Sequence, residues 1–206
     1  KLAARFAVYN AKEGGYIDNV RGTKQISLDN PALDRNNPPN RAVVNNNSLV
    51  ADNFNDATYT GIRSSVKYAI NDNWEALLQH THQEIETEGV WDFDPTLGDY
   101  KSESYTPDEG DDVFDLTTWT INGNVGNLEM VYTGSFLDRS VEAISDYSGY
   151  ADSGPFIPYY ICDYPGYANC GQPDLFLDQV FEVERTTHEF RIATDADKRM
   201  RGILGV

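Results

Sequence analysis

Three histidines and two cysteines are the residue types most suited to chemistry in this sequence. His80 and His82 are two positions apart, so on a β-strand both side chains point to one side, where two imidazoles could share a metal ion. His188 lies far along the chain, and no third or fourth ligand accompanies the pair. No nucleophile motif is present and nothing selects an acid and base pair among the many carboxylates. The sequence therefore predicts no enzyme, no cofactor and no metal site.

The acidic stretch from Asp92 to Glu103 is a second candidate for cation binding. Oxygen donors fall at positions 1, 3, 5 and 12 of a calcium-loop pattern. Leu97 occupies position 6, which should be glycine, and Pro95 also departs from the pattern. We therefore expect a solvated acidic loop.

Cys162 and Cys170 are the only cysteines, in a tract rich in Pro, Gly and Tyr that contains no histidine. The favoured interpretation is a disulfide formed in an oxidising compartment, and two free thiols are the alternative. A bond closing so short a ring would order the loop around it.

Aromatic residues are frequent in the long polar tracts. Rigid rings in loops often bind ligands, sugars or proteins, whereas the alternative is that they pack on each other to fold a large loop. The predicted ligand-binding residues are Trp91, Phe93, Tyr100, Tyr147, Tyr150, Tyr159, Tyr160 and Tyr164.

The composition excludes some classes of partner. The 206 residues include 33 acidic and 16 basic ones, a formal net charge of -17, which disfavours nucleic acid because phosphate binding needs clustered Lys and Arg. Mean hydropathy is -0.54, and no stretch approaches the ~18 apolar residues of a membrane helix, although a membrane strand needs only ~10 alternating residues. Residues 1–6 carry no secretory signal and open directly on alternating sequence, as in a segment of a longer chain.

Short turns and long tracts alternate along the chain. Residues 71–73, 122–127 and 194–198 are rich in Asn, Asp and Gly and are flanked by residues typical of strands, so each predicts a tight hairpin. Between them lie polar tracts at about 19–57, 91–112 and 145–178, longer than the ~12 to 15 residues usual for structureless loops.

The strands alternate between apolar and polar residues with a period of two. One face is predicted to carry Ile62, Val66, Tyr68, Leu128, Met130, Tyr132 and Phe136, and the other Arg63, Lys67, Glu129, Glu189 and Arg191. Two aromatic levels are also expected, one near the short turns at Tyr68, Trp74, Trp119 and Phe190, and one near the opposite strand ends at Tyr59, Phe114, Phe136 and Phe181.

Several segments resemble successive hairpins from the barrel of a TonB-dependent outer-membrane receptor. The resemblance lies in Tyr59–Arg63 leading to Tyr68–Trp74, in Leu128–Phe136, and in Thr187–Thr194 followed by Arg201–Val206. The most characteristic piece is the Glu-x-Arg-apolar strand, the short turn after it, and then Gly with apolar neighbours. These motifs are strand patterns spread over almost the whole chain and include no catalytic signature.

The resemblance implies an all-β fold of antiparallel hairpins that forms part of a transmembrane β-barrel with long extracellular loops. Residues 1–206 would be about seven of the roughly 22 strands of the barrel domain, without the plug domain, the periplasmic box and the aromatic C-terminal strand. The five charged residues Arg63, Lys67, Glu129, Glu189 and Arg191 would then face the lumen.

The implied function is import of a scarce ligand across the bacterial outer membrane. Siderophore-iron, cobalamin and oligosaccharides are the ligand classes in view, and the TonB–ExbB–ExbD complex would supply energy through the absent plug region. The alternatives are a secreted or cell-surface all-β binding module with an aromatic, disulfide-pinned loop, and a passive porin.

Overall fold

The protein is built from β-strands. The computed structural model describes residues 1–27, 41–152, 161–163, 165, 171–172, 174–195, 197 and 199–206. The strands are β1 Leu2–Glu13, β2 Asp18–Asn19, β3 Thr23–Ser27, β4 Arg41–Asn45, β5 Ala57–Ala69, β6 Trp74–Glu88, β7 Lys101–Ser102, β8 Glu109–Val125, β9 Leu128–Asp146, β10 Phe176–Thr194 and β11 Ile203–Gly205, and a 3₁₀ turn spans Ser148–Asp152.

Seven of these strands form one antiparallel sheet in the order β1-β5-β6-β8-β9-β10-β11. Each strand pairs with the next sheet strand along the chain, so the connections lie alternately at the two ends of the sheet. The short connections, after β5, β8 and β10, lie at one end, which we call the short-turn end. The long connections, residues 14–56, 89–108 and 147–175, join strand ends on the other side of the sheet, which we call the loop end. The predicted all-β, antiparallel character and the alternation of connections are confirmed.

The middle hairpin turns more tightly than the sequence predicts. The ladder between β8 and β9 continues to the pair Val125 and Leu128, which leaves only Gly126 and Asn127 in the turn. Gly126 has a φ of 62°, and glycine adopts this left-handed conformation at little cost at the first central position of a type II′ turn. The Asn-rich residues before it belong to the strand.

The two faces of the sheet follow from the register, because residues directly opposite each other share a face. Val66, Leu78 and Trp119 lie in one row across β5, β6 and β8, and Lys67 and Leu77 lie in the next row on the reverse side. We call the two sides the Val66 face and the Lys67 face.

Side chains of the Val66 face change character halfway along the strands. Toward the short-turn end most of them are apolar, and toward the loop end acidic residues are interspersed with apolar ones such as Val113, Ile144 and Val180. The apolar half includes Leu2, Val66, Tyr68, Trp74, Leu78, Trp119, Ile121, Leu128, Met130, Tyr132, Phe136 and Phe190. The acidic half carries Glu84, Glu86, Asp111, Asp115, Asp138, Glu142, Glu182 and Glu184.

The sheet contributes almost nothing to the core of the described residues. The buried apolar side chains are Ile17, Val44, Ala57 and Tyr105, of which only Ala57 belongs to the sheet. Leu78 and Tyr68, in the apolar half, are 52% and 49% exposed. No other described part of the chain packs over this apolar half, and the core lies instead among the long connections.

Both edges of the sheet are open in the described residues. β1 pairs only with β5, and β11 pairs with β10 only over Arg191–Ala193. The outer edge of the 19-residue β10 is therefore unpaired over most of its length. No helix within the described ranges is both long and apolar enough to cross a membrane.

Candidate ligand-binding site at the loop end

The described residues of the first two long connections fold together into a cap at the loop end. β2 pairs in parallel with β7, which joins residues from the first connection to residues from the second. β3 and β4 form a small hairpin beside them. The cap contains most of the fully buried residues, and three of these, Asn19, Asn46 and Asn55, are asparagines.

Asn19 holds three segments of the cap together. Its side-chain amide donates to the carbonyl oxygens of Leu49 and Ser104 at 2.9 and 3.2 Å, and its Oδ1 accepts from the Ser104 amide at 2.8 Å. The Asn46 side chain makes a similar pair of hydrogen bonds. It donates to the carbonyl oxygen of Val20 and accepts from the Gly22 amide, both at 2.7 Å. Buried amides paired in this way replace an apolar core as the means of ordering loops.

Hydrogen bonds to two carboxylates, those of Asp108 and Asp146, join the second connection to the third. Asp146 accepts from the backbone amides of Tyr105 and Ser148 at 2.7 and 2.8 Å. The Asp146 amide in turn donates to Oδ1 of Asp108 at 2.7 Å. These hydrogen bonds anchor the end of the second connection to the start of the third.

Four aromatic rings form an exposed cluster on the cap, which we call the aromatic cluster: Tyr16, Trp91, Phe93 and Tyr100. Tyr16 makes edge contacts with Trp91 and Tyr100, at ring-centroid distances of 6.3 and 6.0 Å, and Phe93 lies 5.6 Å from Tyr100. All four rings are at least 40% exposed. Exposed rings held rigidly against each other provide contact area to a ligand at low entropic cost.

Tyr100 is held in an unusual backbone conformation. Its φ is 59°, a left-handed value that costs a bulky residue about 1 to 2 kcal/mol. Its carbonyl oxygen accepts from the Asp18 amide at 2.8 Å, so the β2–β7 pairing holds the conformation. The strained residue presents a ring that is 56% exposed, an arrangement typical of functional positions.

A cleft of about 210 Å³ lies between the first two connections. One side is apolar, with Leu49, Ala51, Phe54 and Pro107. The other side is polar and is formed by Asn19, Glu88, Ser104, Thr106, Asp108 and Glu109.

Asp108 is the most buried ionisable group of the cleft, with 8% of its surface exposed. Its Oδ2 and the Thr106 hydroxyl are buried and have no hydrogen-bond partner within the part of the chain that the structure describes. Burial raises the pKa of the Asp108 carboxyl above its usual value, opposed by the Asp146 amide and Ser104 and reinforced by the charges of Asp146 and Asp92.

The structure brings some of the predicted aromatic residues together and leaves others apart. Trp91, Phe93 and Tyr100 meet in the aromatic cluster, whereas Tyr147 and Tyr150 form a separate stacked pair 5.2 Å apart. Tyr16 was missed, because it lies at the start of a connection with no other ring nearby in sequence. Tyr159, Tyr160, Tyr164 and Cys170 lie outside the described residues; Cys162 is disulfide-bonded.

The histidines and the calcium-like loop have ordinary protein partners. His80 and His82 share a face as predicted, but both lie beside Oδ1 of Asp115, at 3.3 and 3.1 Å. In the acidic loop, Asp94 accepts from the amide and hydroxyl of Thr96, and these hydrogen bonds lower the pKa of its carboxyl. Within the described ranges, no three His, Cys, Asp or Glu side chains are placed to hold a metal ion.

The predicted division of side chains between the two faces agrees with the register. Arg63, Lys67, Glu129, Glu189 and Arg191 all lie on the Lys67 face, and Ile62, Val66, Tyr68, Leu128, Met130, Tyr132 and Phe136 all lie on the Val66 face. The second aromatic level is an exception. Tyr59, Phe114 and Phe181 lie on the Lys67 face, so only Phe136 of that level belongs to the apolar side.

Comparison of the chain with protein-family models, curated proteins and solved structures found no match.

Proposed function

We propose that the chain is a wall segment of an outer-membrane active-transport receptor of the TonB-dependent type. The short-turn end faces the periplasm and the loop end faces the outside. There the cap and the aromatic cluster bind a scarce ligand before it enters the barrel. Siderophore-iron, cobalamin and oligosaccharides are candidate ligand classes, and the TonB–ExbB–ExbD complex delivers the energy through a plug domain.

The observation that carries the proposal is the change in polarity along the Val66 face. An amphipathic sheet packed on a water-soluble core stays apolar along its whole covered face. Here the apolar half runs from about Leu128 to Phe136 on β9, nine residues, which matches the ~9 to 11 residues of a tilted membrane-spanning strand. Beyond it acidic residues appear among the apolar ones on the same face, as in a wall that leaves the bilayer for water.

The Lys67 face supports the same arrangement. Opposite the apolar half it carries polar pairs: Lys67 with Glu75 at 2.7 Å, Thr120 with Thr133 at 3.0 Å, and Ser135 with Thr187 at 2.6 Å. Charged and hydroxyl side chains are tolerated in a lumen filled by water or by a plug, and are expensive in lipid. The open edges require further strands, because lipid cannot satisfy unpaired backbone groups.

Single-cysteine labelling tests the proposed orientation. We would introduce Val66→Cys, Lys67→Cys, Glu129→Cys and Met130→Cys separately into the complete barrel that contains this chain, and treat membranes with an aqueous maleimide under non-reducing conditions. We expect labelling at 67 and 129 and protection at 66 and 130 that is lost on denaturation. The unsubstituted chain, whose Cys162 is already bonded, is the control.

Equal labelling at all four positions, or the reverse pattern, would overturn the membrane arrangement. A soluble, monomeric chain that unfolds cooperatively without detergent would favour the secreted binding module instead.

A further inference from the structure

The cleft beside Asp108 combines features that specify a class of ligand group. It lies between the first two connections, on the loop end that the proposed function assigns to ligand capture. Its polar side is acidic, and no Lys or Arg is among the residues that line it. Its other side is a short apolar wall.

We propose that this cleft binds a primary ammonium group carried on a short apolar stem. The inference rests on the proposed function, since it names the chemistry of part of the ligand that the loop end would capture. Oδ2 of Asp108 and the hydroxyl of Thr106 receive the ammonium hydrogens, and the apolar wall contacts the stem.

A cationic group is indicated by the acceptors that the protein leaves unused. Asp108 lines the cleft and is more than nine-tenths buried, and its buried Oδ2 has no hydrogen-bond partner among the described residues. An unpaired buried acceptor is costly, so a donor that reaches it is strongly favoured. An ammonium group has three N–H donors and no acceptor. Glu88 and Glu109, paired across β6 and β8 at the mouth, add negative charge that attracts a cation.

An organic cation fits this cleft better than a metal ion. Calcium needs six to eight oxygen ligands and usually several carboxylates, whereas the described residues bring no three ligating side chains together. Leu49, Ala51, Phe54 and Pro107 form a wall that a hydrated metal ion would leave unused but that a short methylene stem would cover. The volume of about 210 Å³ suits one such group rather than a whole large ligand.

The test uses the complete barrel that contains this chain, folded in detergent micelles, and three probes: n-butylammonium, the neutral 1-butanol, and Ca²⁺. Binding is followed by ligand-observed NMR at neutral pH, where the amine is protonated. We expect n-butylammonium to bind and 1-butanol to bind at least about 10-fold more weakly, as loss of a charge-assisted hydrogen bond implies. Ca²⁺ should not displace the amine at equal concentration.

Asp108→Asn is the decisive variant. Its remaining carbonyl oxygen can still accept from the Asp146 amide, but an NH₂ group replaces Oδ2. We expect affinity for n-butylammonium to fall by about 10-fold or more. Asp99→Asn removes the same charge from an exposed residue of the second connection. It should change the affinity for n-butylammonium by no more than about 2-fold relative to the wild-type protein.

Equal binding of 1-butanol, displacement by Ca²⁺, no binding of n-butylammonium, or unchanged affinity in Asp108→Asn would each overturn the inference. The labelling pattern at positions 66, 67, 129 and 130 is measured on the same preparations. A failed labelling pattern with retained amine binding would reject the membrane orientation and leave the cleft assignment standing, and the reverse outcome would reject the cleft alone.

Discussion

The indole of Trp119 lies against Gly134, its direct cross-strand neighbour in the ladder between β8 and β9. A Cβ added at Gly134 would come within 2.5 Å of the indole ring. Trp74 lies against Gly123 in the same manner, so glycines in these strands make room for large rings on the Val66 face. The rings thereby lie flat across the sheet instead of standing away from it.

Gly134→Ala should destabilise the sheet although alanine is the better strand residue. The added methyl group displaces Trp119 from its contact with Gly134 and from His188, whose ring centroid is 5.8 Å away. Overpacking of this kind costs about 1 to 3 kcal/mol in the free energy of unfolding. Urea unfolding in detergent micelles measures it. Gly14→Ala, where no heavy atom lies within 4 Å of the added Cβ, is the control, and equal stability of the two variants would contradict the prediction.

Much of the sheet was predictable because its signals are local. The period-two alternation places Val66 and Lys67 on opposite faces whatever the rest of the chain does. Turn-forming residues mark the hairpins. The predicted turn at 122–127 was too long, because Asn122 and Asn124 are typical of turns but belong to β8. The face of Phe114 follows from the same alternation, because it lies five positions from Trp119 in one strand and therefore on the opposite side. Which side chains of neighbouring strands lie in one row depends on the register, and no short sequence pattern encodes that.

Tyr100→Gly should leave the cap more stable than Tyr100→Ala does. Both variants remove the ring, but only glycine adopts the φ of 59° without strain, a difference of about 1 kcal/mol. Hydrogen exchange of the Asp18 amide, which donates to the Tyr100 carbonyl oxygen, reports the opening of this pairing. The same two substitutions at the exposed Tyr147, which has no positive φ, should show the opposite order. Faster exchange in Tyr100→Gly than in Tyr100→Ala would refute the argument.

Asn19→Ala should open the cap while the sheet stays folded. It leaves the Ser104 amide and the carbonyl oxygens of Ser104 and Leu49 without their partner, at a cost of about 2 to 4 kcal/mol to the cap. Trypsin cleavage at Arg21, close by in the first connection, should accelerate by roughly 30-fold or more, because cleavage follows the open population. Asn47→Ala, at an exposed position, is the matched control. Unchanged cleavage in Asn19→Ala would show that the cap does not depend on this residue.

Local sequence patterns did not predict the cap or its cleft. Asn19 and Asn46 have the composition of solvated turns, and their burial depends on partners 24 to 85 residues away. Asp108 is one of eight acidic residues in the tract 91–112, and nothing in the sequence distinguishes it from the others. Only its burial in the fold does. Trp91, Phe93 and Tyr100 were identified because clustered rings in a polar tract are unusual, whereas their contact with Tyr16 requires β2 to pair with β7.

Asp108→Asn should stabilise the unliganded protein at neutral pH and have no such effect in acid. Because the pKa of Asp108 is raised in the folded state, folding favours the protonated carboxyl, an advantage that is complete below the unfolded value of about 3.8 and is lost as pH rises through the folded value. Asp146 and Asp92 act on the same carboxyl and add to this effect. Urea unfolding of both proteins from pH 3 to pH 7 should therefore show a stability difference in favour of the variant that grows with pH. With saturating n-butylammonium the difference should shrink or reverse, since the bound cation stabilises only the wild-type carboxylate. A difference that is constant with pH, or largest in acid, would show that burial does not control this group.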